Sequence, residues 1–217
     1  MQFLSQEEGS SLITLLRKSI LDYLYHRQIL PIKLPPQFTK KRGGFIAFEK
    51  IVESVDGRLK RIFRGRYGTP FPVEPLYSTL LKSGIFLVRE DPRFKPLIAE
   101  EFQKIVLEVT ILSELKLMHN KDLDLLKEAL KIGKEEGAKH GILLKVGEVH
   151  SIVLPQTIVE NNWNLEDTLS FACLKIGLPS NYWLEESVKI YSFEVQVFYE
   201  IEPGGRVIER KFYFGEE

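Results

Sequence analysis

Cysteine is almost absent from this chain of 217 residues: Cys173 stands alone, so no disulfide can form within it. Histidine is nearly as scarce. His26, His119, His140 and His150 are scattered, with no H-x-H, H-E-x-x-H or C-x-x-C spacing. The familiar metal signatures are therefore missing, and no metal site is expected. No Walker pattern, no G-x-G-x-x-G and no G-x-S-x-G elbow is present, so the sequence assigns no cofactor, and neither nucleotide binding nor serine hydrolysis has motif support. Net charge is also missing. The 30 basic and 30 acidic residues cancel, which removes the global basic excess of a typical nucleic-acid binder. No apolar run approaches the length of a membrane span. The first residues, M-Q-F-L-S-Q-E-E, carry acids where a secretory leader would carry a basic segment and an apolar core. These absences point to a soluble cytoplasmic protein with no membrane partner. Asparagine and glutamine are few (5 and 7) while lysine, glutamate, isoleucine and leucine abound, a composition of thermophilic character.

What is present is a mixture of helix and hairpin signals. Ser5-Gln6-Glu7-Glu8 has capping-box spacing, and Leu12, Leu15, Leu16, Tyr23 and Leu24 follow at helical intervals, which predicts a helix ending near Arg27. Pro31, Pro35 and Pro36 then make an extended linker. Gly44 to Val52 and Arg58 to Phe63 read as strands around a Val55-Asp56-Gly57 turn. Pro75 can open a helix running to about Val88, and Asp91-Pro92 breaks it. Lys104 to Leu112 alternates as a strand with one strongly apolar face. Lys121 to Ile132 reads as a helix. Gly141 to Val146 and Val149 to Leu154 form a second hairpin around Gly147-Glu148. Pro155 to Asn162 is a short helix, and Asn164 caps another running to Ile176. Val188 to Ile201 and Arg206 to Phe214 are the last strands. Hairpin-linked strands with interspersed helices predict an α+β fold with antiparallel or mixed sheets, as a single domain over 1–217 with room for two lobes.

Charge is placed unevenly. From Lys40 to Arg66 stand nine basic and three acidic residues, a local +6 that either marks an anion or nucleic-acid surface or is a solvated hairpin paired with acids elsewhere. The segment ends in R-G-R-Y-G-T-P-F-P, Arg64 to Pro72. Read as a turn, its glycines let backbone N–H groups converge on an anion, with Arg64 and Arg66 adding bidentate contacts and the following helix its positive end. The plain alternative is a strand-to-helix loop whose glycines serve geometry alone. Arg93, in Asp91-Pro92-Arg93-Phe94, can reach the same place, or the segment is a turn anchored by Phe94. His140 precedes a strand beside Gly141, where it can act as a general acid or base. Cys173 falls on the apolar side of a helix and is expected to be buried and inert. Trp163 and Trp183 are expected to anchor the core or its rim.

Several segments in order resemble the AMMECR-type domain family, named for the chromosomal region of Alport syndrome, midface hypoplasia and elliptocytosis. Phe63-Arg64-Gly65-Arg66-Tyr67-Gly68-Thr69 is similar to its hallmark L-R-G-C-I-G-T. Asp91-Pro92-Arg93-Phe94-Lys95-Pro96-Leu97 resembles D-x-R-F-x-P-I, and Glu108 to Ser113 resembles E-V-S-V-L-S. His140-Gly141-Ile142, Leu154-Pro155-Gln156 with Glu160, Trp163 and Leu169, Cys173 to Pro179 with Trp183, and Val188 to Glu200 continue the match. The resemblance implies an α+β fold and carries no established activity. It implies a cleft formed by Arg64, Gly65, Gly68, Thr69, Arg93, Glu108 and His140. Here Arg66 replaces the hallmark cysteine and Tyr67 its isoleucine, so no thiolate mechanism can run at that place.

Three functional readings follow. The first is a cleft for a small anionic or phosphorylated ligand, with Arg64, Gly65, Arg66, Gly68, Thr69 and Arg93 as the binding set. The second is an acid–base enzyme using His140 with Glu108. The third is an RNA-associated or adaptor protein using the basic 40–66 hairpin.

Overall fold

The computed structural model describes residues 4–54, 57–133, 135 and 137–214. The chain divides into two compact units, 1–112 with 196–210 and 113–195 with 211–217.

The first unit opens with α1, Gln6–His26. The capping box forms as its spacing predicts: Ser5 Oγ accepts from the Glu8 N–H at 3.2 Å, and the Glu8 carboxylate accepts from the Ser5 N–H at 2.7 Å. The helix ends where Arg27 turns left-handed, φ 59. A one-turn helix α2, Pro36–Thr39, follows the proline linker. The strands β1, Gly44–Glu53, and β2, Leu59–Thr69, pair antiparallel. Gly57 at their turn has φ 75, the conformation a hairpin glycine supplies, while Val55 and Asp56 of the expected turn lie outside the described residues. Pro75 precedes α3, Leu76–Arg89, as expected of a proline at a helix start. Then come α4, Ala99–Phe102, and β3, Ile105–Leu112, which pairs with the other side of β1.

The apolar face of α1 (Leu12, Ile13, Leu16, Ile20) and that of α3 (Leu76, Leu80, Leu87) close over Ile46, Phe48, Leu107 and Val109 of the sheet. One strand expectation needs correcting. β3 is buried on both faces, not one, because Val106, Glu108 and Thr110 are as covered as their apolar neighbours.

The second unit holds β4, Lys116–Met118, then α5, Leu123–Ala129. This helix is shorter than Lys121 to Ile132: Asp122 caps it through the N–H groups of Asp124 and Leu125, and Leu130 is already extended. The short pair β5, Ile132–Gly133, and β6, Gly137–Ala138, follows, and only its first residue, Ile132, falls within the expected helix. The hairpin β7, His140–Val146, and β8, Val149–Val153, turns at Gly147, φ 57. Helices α6, Pro155–Glu160, and α7, Leu165–Leu174, follow, the second with a full capping box between Asn164 and Asp167. They pack Ile158, Leu165, Leu169 and Cys173 against Ile142 and Leu144, with Trp183 in the same core. The long strand β9, Val188–Glu200, pairs with β4 and β7 inside this unit. Its last residues belong to the first unit, where they pair with β10, Val207–Arg210. β10 is shorter than the expected Arg206 to Phe214 strand. All these pairings are antiparallel, so the fold is α+β, as the hairpin pattern predicts. Among the described residues no helix is long and apolar enough to cross a membrane.

Candidate functional site

The Arg64–Thr69 segment is not a turn. It is the second half of β2, and Gly65, Arg66, Tyr67, Gly68 and Thr69 pair in register with Phe48, Ala47, Ile46, Phe45 and Gly44. Their backbone groups are committed to a ladder and do not converge into an anion nest. The glycines serve the strand. The register slips between Phe48 and Glu49, opposite Arg64, and Gly65 beside that bulge has φ 147. A Cβ on Gly65 would stand 2.8 Å from both Asp91 Oδ2 and Leu87 Cδ2. Gly68 permits close approach of the two strands, since a Cβ there would lie 2.1 Å from the Gly44 carbonyl oxygen. Thr69 Oγ1 accepts from the Phe71 N–H at 3.2 Å and shapes the exit of the strand.

Regular alternation would put Arg64 and Arg66 on one face, and the bulge at Arg64 divides the predicted binding set. Beside Gly65, Arg64 meets the Asp91–Lys95 segment that follows α3. Its guanidinium lies over the Phe94 ring, 4.3 Å from the centroid, and Nη2 donates to the Lys95 carbonyl. Nη1 is shielded from solvent and has no hydrogen-bond partner among the described residues. Burial, only partly offset by the charge of Asp91, lowers the Arg64 pKa from its ordinary value. Arg93 stands against the same Phe94 ring at 5.6 Å and near Phe63 at 5.7 Å. It grips the buried Asp91 carboxylate through Nε at 2.8 Å and Nη2 at 2.7 Å. The bond to Arg93 holds the Asp91 carboxyl below the usual carboxylate range against the opposing effect of burial. Phe94 is thus a half-buried platform for two guanidiniums, not the core anchor the sequence suggested.

Arg66 goes elsewhere. It sits across Ala47 of β1 from Glu108 of β3, and the small alanine leaves room for the pair to meet over the middle strand. Arg66 Nη2 approaches Glu108 Oε1 at 3.1 Å, and Arg210 Nη1 of β10 approaches Oε2 at 3.6 Å. The Arg66 Nε is buried without a hydrogen-bond partner among the described residues. The position that corresponds to the cysteine of the resembled hallmark therefore holds one arm of an ionic network around buried Glu108.

Glu108 belongs to the first unit and His140 to the second. The partner observed for His140 is Glu194, at 3.7 Å from Nε2, and its Nδ1 accepts from the Lys131 N–H at 3.2 Å. That bond fixes the neutral tautomer with the proton on Nε2. Burial lowers the His140 pKa, with Lys139, Lys116 and Lys131 adding to the effect and Glu194 opposing it. The unfolded chain then binds this proton more readily than the folded one. Stability linked to His140 is complete above the ordinary histidine range and is lost as pH falls through it. Denaturation midpoints should fall between about pH 7 and pH 5, and His140→Gln should flatten that slope. Burial likewise pushes the Cys173 thiol up, and Cys173 lies in the core as its apolar surroundings predict. Among the described residues no cluster of His, Cys, Asp and Glu is arranged to hold a metal ion.

Sequence reasoning missed the partners. Asp91 was legible only as a turn residue, although its spacing of two from Arg93 is the spacing that lets one side chain grip the other. Arg210 carried no local signal at all. Nor did the buried pair of Arg17 and Glu200, which joins residues 183 apart in sequence.

Comparison with known proteins agrees with this architecture. A family profile described as AMMECR1 matches residues 13–198. A protein of the archaeon Thermofilum pendens is 35% identical over 210 residues, covering 95% of this chain and 96% of its own length. One from Methanocaldococcus jannaschii is 37% identical over 214 residues, covering 97% and 99%. The crystal structure of an uncharacterized protein from Pyrococcus horikoshii superposes with a TM-score of 0.81 at 29% identity, over 96% of this chain and 99% of that one. The chain belongs to the AMMECR1 family.

Proposed function

We propose that the first unit binds a small anion, a phosphate or carboxylate group, between Arg64 and Arg93 beside Gly65. One observation carries this reading: two guanidiniums share the Phe94 ring, and Asp91, the carboxylate in contact with them, is already gripped by Arg93 along one edge, with Glu101 acting on Arg64 only through its charge. Two donors stay unused there: Arg64 Nη1, which is buried without a hydrogen-bond partner among the described residues, and the outer edge of the half-exposed Arg93 guanidinium. An anion that accepts from Arg64 Nη1 and from the free edge of Arg93 would relieve both. The binding set therefore narrows from the Arg64–Thr69 segment to Arg64, Gly65 and Arg93, with Arg66, Gly68 and Thr69 serving the strand and its ionic network.

The test is a thermal-shift series with inorganic phosphate, phosphate monoesters and small dicarboxylates. A ligand at a hundred times its dissociation constant should add about 2.7 kcal/mol to stability. The shift should vanish in Arg64→Ala/Arg93→Ala and persist in Arg66→Ala. A shift that survives the double substitution refutes the site.

Acid–base chemistry is the second reading, and its centre moves. His140 with a fixed tautomer faces Glu194, so Glu194 takes the role the sequence gave to Glu108.

A further inference from the structure

The outer half of the first hairpin has a use that anion binding at Arg64 does not explain. Among the described residues β2 pairs only with β1, so its other edge is open. The pairing of β1 with β3 stops at Lys50 opposite Ile105. Beyond it, Ile51–Glu53 and Leu59–Arg61 run on as a two-stranded ribbon without a third strand. Every residue from Leu59 to Phe63 is exposed, and the apolar ones heavily so: Leu59 by 72%, Ile62 by 52% and Phe63 by 47%. Bare two-stranded ribbons are marginal in water, and natural edges are usually guarded by charge. Lys60 and Arg61 supply such a guard, but a guard does not require three large apolar side chains beside it.

We propose that the Leu59–Phe63 edge accepts an extended acidic segment of another protein as an added strand. Charge complementarity selects this occupant. Between Gly57 and Val73 there are five basic residues and no acidic one. A second copy of β2 would set like charge against like charge. The Lys60 side chain has no ion pair or hydrogen bond among the described residues, whereas that of Arg61 is held by Glu49 and by the carbonyls of Glu200 and Ile201. Lys60 is thus available to a carboxylate, and Leu59, Ile62 and Phe63 to alternate apolar side chains on the two faces of the incoming strand. A nucleic-acid strand fits less well. Glu49 and Glu53 stand across the ladder from Phe63 and Leu59, and of the three apolar side chains only Phe63 has a ring, which Arg93 already faces at 5.7 Å.

The probe is a short fluorescent peptide alternating glutamate with valine, titrated by anisotropy at physiological salt. An analogue N-methylated at alternate amides and a fluorescent oligouridylate run beside it. The peptide should bind. Methylation should weaken it about tenfold or more, because it removes the ladder hydrogen bonds, and Lys60→Glu should do the same. Both Lys60→Glu and Ile62→Thr change exposed side chains, so unchanged denaturation midpoints will certify the fold, and Ile62→Thr should weaken binding in its turn. Three results would overturn the proposal: no peptide binding, equal binding of the methylated analogue, or binding of oligouridylate in place of peptide. The anion reading is untouched by each of them, since none of these measurements reads binding at Arg64 and Arg93.

Discussion

Glu200→Ala is expected to destabilise the first unit by roughly 3–5 kcal/mol, the range for breaking a buried ion pair from one side. Glu200 is buried near the end of β9. Its carboxylate accepts from Arg17 Nε at 2.6 Å, from Arg17 Nη2, and from the Leu107 N–H at 2.9 Å. It thereby joins α1, β3 and β9. Arg17 also donates to the Ile105 carbonyl and lies over the Phe102 ring. Removing the carboxylate leaves a largely buried guanidinium without its counter-charge and a strand N–H without its acceptor, and each carries a desolvation penalty. Glu200→Gln should lose less, because the amide oxygen can still accept from Leu107. Urea denaturation followed by circular dichroism checks both. Equal midpoints for the alanine variant and the native chain would show that the pair contributes nothing.

Gly65→Ala is expected to cost roughly 2–4 kcal/mol and to abolish anion binding together with it. Two penalties add. The backbone at φ 147 lies where side chains are rarely tolerated, and the new Cβ would press on Asp91 and Leu87 at 2.8 Å. Leu87 is buried in the core and cannot yield freely. Asp91 can retreat only by letting go of Arg93, which dismantles the proposed site. Denaturation midpoints and the phosphate thermal shift, measured on one preparation, should therefore fall together. A variant of native stability would show that the strand accommodates a side chain at this bulge.

Much of the fold is legible in the sequence because its signals are local. Ser5 with Glu8, and Asn164 with Asp167, announce two helix starts by spacing alone, and both boxes form. Gly57 and Gly147 announce hairpin turns, and both have positive φ. The site was harder to read, since its meaning depends on strands far apart in the chain. Two glycines and two arginines within five residues look like a turn, yet β1 supplies a ladder that keeps them extended. Arg64 and Arg66 look equivalent in sequence. The pleat alone would keep them on one face; the bulge at Arg64 sends it to Phe94, while Arg66 reaches across Ala47 to Glu108. Glu200, next to a turn at the end of a strand, reads as an ordinary surface acid. Only the arrival of α1 buries it against Arg17.

The central claim is that Arg64 and Arg93 hold an anion. Side-chain proton–nitrogen NMR spectra, recorded as inorganic phosphate is added, test it most directly. The Arg64 and Arg93 Nη resonances should move along a saturating curve with one shared dissociation constant. Those of Arg61 and Arg17, which are already paired, should stay in place. If all arginine resonances drift together without saturation, or if Arg64 and Arg93 do not move, the account of this site is wrong.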